Sequence, residues 1–138
     1  TKEWLDKGRK LDKEINEMIE MRDKAFYSAC GSVKAADGEK VQTSRKNSTE
    51  EKFAEYAQCT AIIDKRIDEL YQYRQKMLEM IKRVDNSEYR ALLIARYINC
   101  KTWEKVAEDM HYMVRNIYNL HEQALKALSL VIGINEIP

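Results

Sequence analysis

The sequence predicts an all-α protein, an N-terminal antiparallel coiled-coil hairpin followed by a helix-turn-helix head. Three observations lead there. The 138 residues hold one Pro and four Gly among many Lys, Glu, Leu, Met and Ala, so few positions resist helix. Apolar residues recur at three- and four-residue steps along two long stretches. Finally, Thr102 to Leu128, TWEKVAEDMHYMVRNIYNLHEQALKAL, reads as two helices around a three-residue turn.

The first helix is expected over residues 2–29. Trp4, Leu11, Ile15, Met18 and Ala25 form one seam in a heptad frame that passes through Gly8 and Arg22, and Leu5, Ile19 and Phe26 widen it. Residues 30–48 hold Gly31 and Gly38, several small polar residues and four basic against two acidic groups. That composition predicts a flexible hairpin connection. Ser48 with Glu51 has capping-box spacing and should start the second helix. From there Phe53, Tyr56, Thr60, Ile63, Ile67, Leu70, Arg74, Met77, Ile81 and Val84 step by three and four without a break. Arg22 and Arg74 are the polar exceptions on the two seams. Such residues either fix register or reach outward from the seam edge.

Asp85-Asn86-Ser87 should end that helix and cap the next, which covers about residues 88–97. The expected division is therefore a hairpin over 1–85 and a head over 86–138. Within the head, Thr102 can cap the first helix of the pair, and Glu104 places negative charge at its positive end. Val106, Ala107 and Met110, then Ile117, Leu120, Ala124, Leu125 and Leu128, are spaced for one buried face.

Charge and chemistry narrow the function classes. The formal net charge is +1, and residues 86–138 carry six basic and six acidic groups. Strong non-specific affinity for DNA needs an excess of Lys and Arg, and this head has none. Cys30, Cys59 and Cys100 are odd in number and widely spaced, as expected of reduced thiols in a cytoplasmic protein. No apolar run approaches membrane-spanning length and no signal peptide is visible, so no membrane partner is expected. Cys100, His111 and His121 match no compact ligand pair, so neither metal nor cofactor is expected. Glu50-Glu51 and Glu108-Asp109 are adjacent on their helices and point apart. With no Gly-rich phosphate loop and no nucleophile motif, no catalytic residue is assigned and an enzyme is not expected.

With YRALLIARYINCKTWEKVAEDMHYMVRNIYNLHEQALKAL laid out, the chain resembles the region 4 head of sigma-70-type factors over about residues 88–130. It is similar, more closely, to small phage and prophage regulators called ArpU- or RinA-like; its opening, KEWLDKGRKLDKEI, looks like the start of such proteins. The resemblance implies double-stranded DNA as partner, transcription control of phage genes, and contact with RNA polymerase. It places Val114, Arg115, Asn116 and Asn119 toward the groove, Tyr118 and His121 at sugar-phosphate, and Lys101 and Thr102 on the backbone from the bracing helix. Arg suits guanine and Asn suits adenine in bidentate contacts. Three positions depart from the family pattern. His111 stands where Gly or Asn is common, Met113 where Ser or Thr usually caps, and Val114 where a basic or polar residue is common.

Two other readings stay open on sequence grounds. One is a DNA-packaging assembly protein like a small terminase subunit, which also joins a DNA-binding head to a coiled coil. The other is a head that grips polymerase or another partner without reading DNA, for which the balanced charge, Met113 and Val114 speak. The heptads can be satisfied within one chain or between two, and a homodimer through the hairpin is the expectation carried forward.

Overall fold

A computed structural model of the chain describes residues 1–35 and 42–133, and their side chains except those of residues 29, 31–35 and 42–48. The described residues are almost wholly helical and include no strand. The order is α1 (Lys2–Ala35), α2 (Gln42–Ile81), α3 (Ser87–Leu93) with a π-helical segment (Ile94–Ile98), α4 (Trp103–Met110) and α5 (Val114–Val131). Among the described residues, no helix is long and apolar enough to cross a membrane.

Both long helices extend into the expected connection, while α2 ends at Ile81, short of the expected Val84. α1 continues to Ala35, and α2 starts at Gln42, upstream of the Ser48 expected to cap it. The connection expected over 30–48 thus gives six residues to α1 and seven to α2, and the remainder lies outside the described residues. Isolated Gly, Ser and Asn tax a helix by at most about 1 kcal/mol each, and no Pro is present to break its hydrogen-bond ladder.

The chain divides into two compact units, Lys13–Glu69 and a second made of Thr1–Asp12 with the chain from Leu70. In Lys13–Glu69 the helices run antiparallel. Glu14 lies 3.8 Å from Arg66, Arg22 stands 5.6 Å over the Tyr56 ring, and Phe26 meets Tyr56 and Phe53 at centroid distances of 5.2 and 6.2 Å. Ile15 and Ile63 are buried here, whereas Phe53 and Ile67 are exposed although they share the heptad seam. Arg22 also pairs with Asp23, so it sits at the seam edge.

The second unit has its own core. Trp4 and Leu5 of α1 and Met77, Met80 and Ile81 of α2 are buried in one cluster with Leu92, Leu93, Tyr97, Val106, Ala107, Ile117, Ala124 and Leu128. This unit therefore crosses residue 86, where the sequence pattern places a boundary. The start of α1 and the end of α2 cover apolar faces of the short helices that those helices cannot cover alone. α1 and α2 approach closely at Gly8, where an added Cβ would lie 2.9 Å from Met77 Cε, the movable end of that side chain, and 3.2 Å from the Tyr73 ring. The Tyr73 hydroxyl donates to the Trp4 carbonyl, and Arg74 binds Asp12 at 2.9 Å, so the polar seam residue of α2 is paired across to α1.

Local signals set the short helices. The Asn86 side chain accepts from the N–H groups of Glu88 and Tyr89 and so caps α3. Arg90 donates to the carbonyls of Val84 and Asp85, satisfying acceptors in the α2–α3 turn. The wider π turn closes with Asn99 N–H bonded to the Ile94 carbonyl, after which Cys100 takes a left-handed φ of 55° and the chain turns into α4.

Candidate functional site

The turn between α4 and α5 determines which side chains α5 presents. Thr102 caps α4 by accepting from the Lys105 N–H at 3.2 Å. At the other end His111 is left-handed (φ 61°, ψ 39°), as the sequence pattern requires. Its N–H bonds to the Glu108 carbonyl and the Tyr112 N–H to the Ala107 carbonyl, the paired bonds of a Schellman stop. Tyr112 also donates to Glu88 at 2.7 Å, which ties the turn to α3. Met113 then precedes α5 with no side-chain cap and is 76% exposed.

On α5, Ile117, His121, Ala124 and Leu128 face the core at steps of four, three and four. Arg115, Asn116 and Asn119 fall on the opposite, exposed side within the first two turns. The structure therefore brings these three expected groove residues onto one face. Val114 is half-buried and packs against the core, so only part of it is available to a partner. Tyr118 is exposed, with its ring held edge-on to Trp103 at 5.4 Å.

The remaining expected contacts are placed differently. His121 is 5% exposed, so it cannot reach a phosphate. It shares a hydrogen bond with the Tyr97 hydroxyl and lies 4.6 Å edge-on from Trp103. Burial lowers its pKa to about 4, the charges of Lys2 and Arg96 add to this, and Asp6 opposes it. Burial also pushes the Tyr97 hydroxyl up to about 12. Position 121 lies four residues after Ile117, squarely in the core register. That spacing is the signal that could have placed it inside, against the family resemblance that put it at the sugar-phosphate backbone. Lys101 is held by Asp109 at 2.8 Å, and Lys105 binds the same carboxylate at 3.2 Å. These two lysines hold the Asp109 carboxyl below its ordinary range. The Thr102 hydroxyl accepts from the Lys105 N–H as the helix cap, a role that leaves its own hydrogen able to donate.

Trp103 was not singled out by the sequence pattern, yet it organises this side of the head. The Arg96 guanidinium stacks over its ring at 4.2 Å, and Tyr118 and His121 meet it edge-on. Among the described residues, no group of three or more His, Cys, Asp or Glu is gathered as a metal site. The arrangement offers a polar helix face and aromatic support, which suit recognition by contact.

In comparison with known proteins, a family model described as "Protein of unknown function (DUF1492)" matches residues 29–129. No curated protein and no solved structure matches the chain.

Proposed function

The chain belongs to the DUF1492 family, and we propose that this member is a cytoplasmic phage or prophage transcription regulator that reads promoter DNA with α5. One observation carries the reading. A helix, a Schellman-stopped turn and a second helix leave Arg115, Asn116 and Asn119 together on the exposed start of α5. In a helix-turn-helix, that part of the second helix meets base edges in the major groove. The likeness of residues 88–130 to a sigma region 4 head supports the same use and adds RNA polymerase as a partner. Exposed Phe53, Ile62 and Ile67 in Lys13–Glu69 support self-association of the hairpin into a homodimer.

Selection of bound sequences from a random duplex pool tests this, with Arg115→Ala, Asn116→Ala and Asn119→Ala combined as control. A single enriched motif is expected with the native chain and lost in the triple variant, since each good bidentate contact discriminates by about 1–3 kcal/mol. Enrichment that survives the triple substitution would sink the assignment of these residues.

A second reading has an observation in its favour. Met113 exposes a large apolar side chain beside Val114 at the same helix start, and the head is neutral overall. These features suit a protein partner such as polymerase. Polymerase capture by the triple variant, together with no enriched DNA motif, is the outcome that reading requires.

A further inference from the structure

Trp103 joins three elements at one ring. The Arg96 guanidinium of the π-helical segment stacks over its face at 4.2 Å and donates to the Lys101 carbonyl at 2.8 Å. That cation is thereby tied both to the ring and to the turn preceding α4. His121 meets the ring at 4.6 Å, and His121 is itself buried and bound to the Tyr97 hydroxyl. The third neighbour is Tyr118 of α5, whose ring meets Trp103 at 5.4 Å with an interplanar angle of 67°. Arg96 and His121 are anchored by further hydrogen bonds, whereas Tyr118 is 46% exposed.

Tyr118 stands three residues after Arg115 and one before Asn119. At about 100° per residue it lies about 60° round α5 from Arg115, on the flank of the exposed face nearer α4. An exposed tyrosine samples several rotamers, and ordering it on binding costs free energy. Edge-on contact with an anchored ring selects one rotamer in advance, because aromatic pairs of this geometry attract beyond their buried area. A phenolic hydroxyl can donate to a phosphate oxygen, and such contacts fix a protein's register on a duplex. We propose that Trp103, braced by Arg96, is a positioning residue that pre-sets the Tyr118 hydroxyl for a hydrogen bond to a DNA phosphate beside the groove. This rests on the DNA-binding reading above and deepens it. α4 then contributes to recognition through a side chain of the helix it braces.

The test uses the full chain, its selected duplex motif and a double-mutant cycle at positions 103 and 118, with affinity measured well below the thermal midpoint of every variant. Tyr118→Phe keeps the ring and removes the donor. It should weaken binding by about tenfold or more, the range for a hydrogen bond to a charged group. The salt slope should stay native, because no charge is lost. Trp103→Leu should weaken binding about two- to tenfold, the worth of one aromatic pair, and should add no loss in the Tyr118→Phe background. Trp103→Phe still offers Arg96 a face and Tyr118 an edge, so it should retain most of the affinity. Losses at 103 and 118 that multiply independently overturn the proposal and leave Trp103 a support of the fold alone.

If Trp103→Leu does not fold, Arg96→Lys takes its place in the cycle. It keeps the charge and gives up the flat stack on the ring. It should weaken motif binding when Tyr118 is present and leave the Tyr118→Phe background unaffected; an equal loss in both backgrounds overturns the proposal. The native chain separates this inference from the reading beneath it. No enriched motif removes DNA reading and the role of Trp103 together. An enriched motif bound equally well by Tyr118→Phe removes the role of Trp103 and leaves the reading by Arg115, Asn116 and Asn119 in place.

Discussion

At the residue scale, His121 makes the sharpest demand on solution behaviour. Its folded pKa of about 4 lies below the ordinary 6.5, so the folded state resists protonation that the unfolded chain accepts. Stability from the neutral ring is complete above pH 6.5 and falls as the pH drops from there toward 4. The full loss is about 3 kcal/mol, from the free energy of one pKa unit multiplied over this interval. Denaturant midpoints measured across this window should decline, and the part owed to this group should vanish in His121→Phe. An equal decline in the variant would assign the acid sensitivity to other groups. His111 makes a milder demand. A left-handed non-glycine residue carries roughly 1–2 kcal/mol of backbone strain, so His111→Gly should raise stability by up to about 1 kcal/mol after the entropy of glycine is subtracted. No gain in the thermal midpoint would mean that the His111 side chain has compensating contacts.

At the element scale, caps and stops fix the orientation of α4 and α5. Thr102→Ala removes the hydroxyl that accepts from the Lys105 N–H and should destabilise the head by about 1 kcal/mol, with Thr102→Ser close to native. Chemical denaturation of the three proteins checks this; an equal loss in the serine variant would point to the methyl group instead. These features were legible in the sequence, because a cap needs only the identity of one residue and its neighbours three positions on. The ends of the two long helices were not. Glycine and small polar residues at 30–35 and 42–48 suggested a loop, but helix extension needs only the absence of a strong breaker, and Pro was the missing signal.

At the scale of the whole molecule, the head is not an independent piece. Trp4, Leu5, Met77, Met80 and Ile81 bury their side chains in the same cluster as Leu92, Leu93, Ile117 and Leu128. Residues 86–138 expressed alone should therefore show weak helicity and no cooperative melting by circular dichroism. A sharp transition near that of the full chain would show that the short helices close a core unaided. Met77→Ala in the full chain should cost about 2–5 kcal/mol, the range for a fully buried side chain whose neighbours relax only in part.

The sequence by itself determined the helical class, a cap within Asp85-Asn86-Ser87 and another at Thr102, the left-handed stop at His111 and the polar face of Arg115, Asn116 and Asn119. Each of these depends on residues within about one helical turn, where chain geometry already fixes what meets what. Tertiary structure decided the rest. It placed His121 against Tyr97 and Trp103 and committed Lys101 to Asp109. Periodicity states that a helix has an apolar face but not which distant segment covers it. That choice is made by complementary packing among α1, α2 and the short helices, and it turned a histidine expected at the DNA surface into part of the core.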